Sequence, residues 1–178
     1  LEGPKQYRLI GGGPVIRHTL KALLAHPAVS EIVAVIHPED AALFELAASG
    51  LGPKVRHVFG GPTRQASTLL GLKALETSGP QFVMVHDAVR PFLSPSLLTR
   101  IAHNLTDRSG VVPALPVSET VKRSDHLGFV TETVPRAGLL AAQTPQAFPF
   151  QLLLQAHEEA SGQAGREFTD DASIAEFA

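Results

Sequence analysis

A doubly wound α/β fold with a mostly parallel, twisted sheet is predicted by three features of the 178-residue sequence. Short β-rich runs alternate with segments of helical period, the βαβα order that builds a parallel sheet flanked by helices. Two of those runs, residues 31–36 and 81–86, are too continuously apolar for half-solvated strands and read as strands buried on both faces. Helix starts carry their own marks, clearest at Ser94-Pro95, where a side-chain cap precedes a first-turn proline.

In chain order, Ile16, Leu20, Leu23 and Leu24 lie at helical spacing behind Pro14, predicting an amphipathic helix over residues 14–25. Gly11-Gly12-Gly13 before it reads as a flexible turn. The strand with Ile32, Val33, Val35 and Ile36 comes next, then a helix over 38–48 and a short strand over 55–59. Ala66, Leu69, Leu70, Leu72 and Leu75 mark a helix over 64–77. The second buried strand, the helix from Ser94 to Leu105 and a strand over 111–115 follow. Residues 119–134 then break the pattern: Thr120-Val121-Lys122-Arg123, a polar turn, and residues 129–134 form a β-hairpin signature. A hairpin inserted into an α/β chain must pack on something. It folds over its own domain or reaches a second subunit, and the residues favour neither. A helix over 149–161 and a last short helix opened by Thr169-Asp170-Asp171 complete what reads as one domain, residues 1–178.

The composition narrows the function classes. With 44% hydrophobic residues and this length, the chain can bury roughly 70% of the surface its unfolded form exposes, enough for a core without staples. Its lack of cysteine excludes disulfide frameworks, thiolate zinc sites and cysteine nucleophiles. Fifteen Lys and Arg against 17 Asp and Glu give a formal charge of −2, which excludes broad nucleic-acid or membrane-surface binding; any nucleic-acid-like ligand is small. No apolar run approaches the ~20 residues of a membrane span and no basic-then-apolar leader opens the sequence, so a cytoplasmic protein is expected.

In open α/β sheets ligands bind beyond the carboxyl ends of the strands, and two loops there carry chemistry. In Gly60-Gly61-Pro62-Thr63-Arg64-Gln65-Ala66-Ser67, two glycines permit close backbone approach to a flat ligand, and Arg64 and Ser67 begin a helix whose amides favour anions. The same residues also make a plain turn. His86-Asp87-Ala88-Val89-Arg90-Pro91 puts a carboxylate and a guanidinium three residues apart at the end of a buried strand. They form either an ion pair that fixes the loop or a hard-cation ligand beside a phosphate fork, since Mg²⁺ takes one or two carboxylates plus substrate phosphates and Arg grips phosphate bidentately. There is no GxxxxGK[ST], GxGxxG, HExxH or GxSxG, which removes the phosphate-loop, dinucleotide, zincin and nucleophile-elbow readings. The eight histidines scatter through different elements and point to no shared metal.

Pro4-Lys5-Gln6-Tyr7, Gly60-Gly61 with Arg64 and Ser67, His86 to Pro91, Thr120 to Arg123, Pro135-Arg136 and Thr144-Pro145-Gln146-Ala147-Phe148 stand in one order. In that order, and over essentially its whole length, the sequence resembles the 2-C-methyl-D-erythritol 4-phosphate cytidylyltransferase family of the non-mevalonate isoprenoid pathway. The resemblance implies a Rossmann-like nucleotidyltransferase whose hairpin is a dimerisation arm. It implies in-line attack by the phosphate of methylerythritol phosphate on the α-phosphorus of CTP, with Mg²⁺ present, pyrophosphate leaving and no covalent intermediate. Lys5 would hold the triphosphate, Gly61, Arg64 and Ser67 the cytosine end and Ala88 the ribose region. Asp87 would contact the metal and the substrate hydroxyls, and Arg90, Thr120, Arg136 and Thr144 would bind methylerythritol phosphate. Thr120 and Arg136 would come from a partner's arm in a homodimer, and Lys5, Asp87 and Arg136 would carry the catalytic weight.

The family pattern also has a first strand and a Gly-rich, Arg-bearing loop before Pro-Lys-Gln-Tyr, and a strand with an Asn-x-Lys segment beyond the matched region. Neither is in this sequence, so the chain is expected to be a piece of a longer protein with unpaired sheet edges. Pro62 and Val89 replace an acidic or polar residue and an alanine at positions expected to act through backbone. Members of the family also occur fused to a cyclodiphosphate synthase. Two rival readings are a cytidylyltransferase for another polyol phosphate, such as ribitol 5-phosphate, and a non-catalytic nucleotide-binding module.

Overall fold

In the computed structural model the described residues are 3–163, 166 and 168–178. The elements that follow one another are β1 (Leu9–Ile10), β2 (Gly13–Pro14), α1 (Val15–Leu24), β3 (Ile32–Ile36), α2 (Ala41–Ala48), β4 (Val55–Phe59), α3 (Arg64–Leu75) and β5 (Phe82–Val85). Next come α4 (Pro95–Asn104), β6 (Ala114–Pro116), β7 (Val121–Ser124), β8 (Val130–Val134), β9 (Leu140–Ala142), β10 (Gln146–Pro149), α5 (Phe150–Ser161) and α6 (Asp171–Phe177). The predicted alternation of strands and helices is present, and the starts of α3 and α4 fall where the sequence places them. Ser94 Oγ accepts from Leu97 N at 3.2 Å at the head of α4, and Thr63 Oγ1 accepts from Ala66 N at 3.0 Å at the head of α3.

Several expectations are corrected. Pro14 lies outside its helix, paired with Leu9 across a two-residue Gly11-Gly12 turn whose φ values of +55° and +84° only glycine adopts freely. Residues 38–48 divide into a 3₁₀ turn, Pro38–Asp40, and α2. The strand expected over 111–115 is an isolated bridge, Val111 to Ala147, followed by β6, because Pro113 cannot donate to a ladder. The sequence reading has no strand over Gln146–Pro149, yet β10 is buried throughout and pairs antiparallel with β5.

The two continuous apolar runs are strands, but β3 is only half-buried and Val35 is 36% exposed. The reason lies in the sheet. β3 pairs with β4 in parallel, the parallel pair among the described residues, whereas β5 pairs with β10, and β3 and β5 are not bonded to each other. Adjoining cavities of about 310 and 210 Å³ lie between them, with Ile32, Val33, Val83 and Met84 in both walls. The core is correspondingly divided. Ile16, Leu20, Ile36, Phe44 and Ala47 pack on the β3 side, and Leu72, Val83, Phe148, Phe150, Leu153 and Leu154 on the β5 side. Helix α3 joins the halves, giving Leu72 to the second cluster while Gly71 lies against Val35. No described helix is long and apolar enough to cross a membrane.

The hairpin is present and longer than its sequence signature. β7 and β8 pair from Val121–Val134 to Ser124–Val130, and β6 and β9 extend the ribbon toward the body. Asp125 Oδ1 shapes the tip by accepting from Leu127 N and Phe129 N at 2.9 and 3.0 Å. Leu127, Phe129, Val130 and Leu140 are all more than 60% exposed, so the ribbon does not fold over its own body.

Candidate active site

The larger cavity runs along β3 and β5, and Arg64 and Ser67 of α3 and Asp87 and Ala88 of the loop after β5 all line it. On one wall Ser67 Oγ accepts from Gly61 N at 3.1 Å and donates to Gly61 O at 3.2 Å, tying the glycine turn to the first turn of α3. A Cβ at Gly61 would lie 2.7 Å from that of Ala66, and one at Gly60 would lie 2.8 Å from Ser67 Oγ. The glycines are thus required by the fold of the loop itself. Arg64, in the first turn of α3, directs its guanidinium away from the glycines onto Asp171 of α6.

The opposite wall is the loop after β5. Arg90 Nε donates to Asp87 Oδ2 at 2.8 Å and Arg90 Nη1 to Gln143 Oε1 at 2.7 Å, so the expected ion pair exists, about half-exposed. It leaves Asp87 Oδ1 without a hydrogen-bond donor among the described residues. The ion pair is formed, and it leaves one oxygen of Asp87 open. No group of three or more His, Cys, Asp or Glu suited to a metal occurs among the described residues. A lone carboxylate with one open oxygen nonetheless fits Mg²⁺ that completes its shell with phosphate oxygens and water.

Two residues the sequence reading left without a role, His86 and Thr19, hold this loop together with Thr144. His86 Nε2 lies 3.0 Å from Arg90 O, and since a carbonyl only accepts, Nε2 carries the proton. Nδ1 of the neutral ring then accepts from the Thr144 hydroxyl at 2.9 Å, and Thr144 Oγ1 accepts from Asp87 N at 3.3 Å. Burial holds the His86 pKa below its ordinary value, which favours that neutral form; the bond to Arg90 O and the charge of Asp87 oppose the shift. From the other side of the cleft, Thr19 of α1 donates to Ala88 O at 2.8 Å. These partners are 58 and 69 residues apart in sequence and left no local signal.

Lys5 is exposed, in a 3₁₀ turn, Lys5–Tyr7, and forms no ion pair among the described residues. Its neighbours anchor the turn. Tyr7 packs into the β3-side core, where burial, with the charge of Asp40 adding, pushes its hydroxyl pKa up to about 12, and Gln6 donates to Asp40 Oδ2 at 3.3 Å. Thr120 and Arg136 sit at the root of the arm, where Arg136 donates to Ser118 O, and neither lines the cleft of their own chain.

A family model described as 2-C-methyl-D-erythritol 4-phosphate cytidylyltransferase (IspD) matches residues 1–178. The chain belongs to that family. Among curated relatives, the "Bifunctional enzyme IspD/IspF" of Chelativorans sp. (strain BNC1) is 53% identical over 176 residues, covering 99% of this chain and 43% of its own. The protein of the same name from Brucella anthropi is 54% identical over 177 residues, covering 99% of this chain and 44% of its own. The chain thus spans less than half the length of these IspD/IspF relatives. A solved structure of 4-diphosphocytidyl-2C-methyl-D-erythritol synthase from Anaerococcus prevotii superimposes with a TM-score of 0.84 at 32% identity, over 95% of this chain and 74% of that one. The IspD likeness identifies the architecture as a Rossmann-like nucleotidyltransferase fold.

Proposed function

We propose that the protein containing this chain joins CTP and 2-C-methyl-D-erythritol 4-phosphate, giving 4-diphosphocytidyl-2-C-methyl-D-erythritol and pyrophosphate. The observation that carries the reading is the cleft: four residues assigned from the family pattern, Arg64, Ser67, Asp87 and Ala88, line one cavity between β3 and β5. The substrate phosphate oxygen attacks the α-phosphorus of CTP as the bond to the pyrophosphate oxygen breaks. No protein nucleophile is required, and the side chains act by positioning and charge neutralisation.

Gly61 and Ser67, tied together, present backbone polar groups to the cytosine, with Arg64 behind them. Ala88, held by Thr19, borders the ribose. Lys5, with no ion pair among the described residues, meets the triphosphate and the charge that develops on pyrophosphate. Asp87 takes the substrate hydroxyls and would hold Mg²⁺ through its open oxygen; the bound ion supplies further neutralisation of the phosphates. Arg90 and Thr144 approach methylerythritol phosphate from the same loop system.

Thr120 and Arg136 complete this pocket from a second copy in a homodimer. The exposed apolar side chains Leu127, Phe129 and Val130 support this reading, because exchanged arms would bury them. The chain is one domain of a cytoplasmic protein, and the name IspD/IspF borne by its relatives supports a fused cyclodiphosphate synthase. The test is pyrophosphate release by the full-length protein with CTP, Mg²⁺ and either methylerythritol phosphate or ribitol 5-phosphate. A higher specificity constant for ribitol 5-phosphate overturns the substrate assignment, and no release with either leaves a binding module.

A further inference from the structure

Asp171 is a carboxylate only 1% exposed, on a helix that no catalytic assignment touches. It accepts from Arg64 Nη2 through Oδ2 and, at 3.0 Å, from His157 Nε2 through Oδ1. Burial raises its pKa, but the bonds from His157 and Arg64 and the charge of Arg64 outweigh burial and hold the carboxyl below its ordinary range. The neighbouring residues repeat the grip. Gln146 of β10 donates to Asp170 Oδ2 at 2.7 Å and accepts from Ala172 N at 3.0 Å. The turn into α6 is therefore held by α3 through Arg64, by α5 through His157 and by β10 through Gln146. Since β10 begins two residues after Thr144, this turn ties together both walls of the cleft.

A buried carboxylate that loses its cation is left uncompensated. The dependence runs the other way too. Arg64 is a cation at the positive end of α3, an unfavourable place unless an anion neutralises it. We infer that Asp171 is a positioning residue that fixes Arg64, and through it the first turn of α3 and the Gly60–Ser67 loop, in the arrangement that receives the nucleotide. The inference rests on the proposed nucleotide role of that loop. It goes beyond that role by making the C-terminal helix of the chain a determinant of nucleotide affinity.

The experiment uses the full-length protein with Asp171→Asn, Arg64→Lys and the double variant. Arg64 is partly exposed, so Arg64→Lys gives a folded reporter even if Asp171→Asn unfolds. Without nucleotide, both changes should speed amide exchange at Gly61 and Ser67 while leaving α4 unchanged. With substrates, both should raise the KM for CTP about tenfold, the size of one charge-assisted hydrogen bond, with kcat and the KM for the polyol phosphate within about twofold. The double variant should be no worse than the worse single one, as for two residues acting as a unit. An unchanged KM for CTP in folded variants makes Asp171 purely a stabilising residue, and additive effects mean that it does not act through Arg64. If the wild type turns over no CTP, the proposed function fails, and the exchange measurement alone decides whether the clasp sets the loop.

Discussion

Thr144→Val is the sharpest probe of how the Asp87 loop is held. Valine matches threonine in shape but removes the donor to His86 Nδ1 and the acceptor for Asp87 N, now 2.9 and 3.3 Å away. The first bond is well formed, and its loss leaves a half-buried ring nitrogen unpaired, at a cost of about 1–1.5 kcal/mol; the longer second bond adds about 0.5 kcal/mol. A total near 2 kcal/mol in a domain of this size lowers Tm by roughly 4–8 °C. Thr144→Ser keeps both bonds and should recover most of that loss. Thermal unfolding by circular dichroism gives the stability, and steady-state kinetics should show kcat falling with Thr144→Val and largely restored with Thr144→Ser. Equal Tm values for wild type and Thr144→Val, or a serine variant as poor as valine, would refute the hydrogen-bond chain.

Protonating His86 turns its Nδ1 into a donor. Its folded-state pKa lies below the unfolded value of 6.5, so the unfolded chain binds the proton more readily; stability should be full above pH 6.5 and decline as pH falls below it. Denaturant titrations should find this slope reduced in His86→Asn. Lys5→Ala and Asp87→Asn should each slow turnover on the order of a hundredfold, from the loss of one charge-stabilising contact, without lowering Tm. A variant that loses stability but keeps its rate per folded molecule would make that residue architectural. Inactive Asp87→Ala and Arg136→Ala homodimers, co-expressed, should regain activity, because one site of each heterodimer is intact; no recovery in heterodimers verified by mass would place Arg136 in its own subunit's site.

What the sequence made legible was local. The cap of α4 is written in Ser94-Pro95, the α3 start in Thr63-Arg64, and the hairpin in two polar strands around an Asp-containing turn. Asp87 and Arg90 stood out because three residues separate them. What escaped depends on partners far along the chain. Gln146 and Pro149 give β10 no strand-like composition, and it becomes a strand by lying against β5. The pairing of Arg64 with Asp171 escaped because Asp171, 107 residues away, left no mark beside it. His157 passed as one more scattered histidine, yet it is fully buried. The half-exposure of β3 was hidden for the opposite reason: its composition is that of a fully buried strand, and only the arrangement of its neighbours tells otherwise.

The composition of β3 also bears on how the chain behaves while it folds. Ile32 to Ile36 is a stretch without charge, proline or glycine, rich in β-branched residues. Such a segment templates stacking of like chains whenever it is exposed during folding. The sequence sets guards at both ends. Glu31, paired with Arg56, puts a charge before the run, and Pro38 follows two residues after it, where a growing ladder would need a donor. A change at Glu31 or Pro38 would therefore be felt first as lost soluble protein.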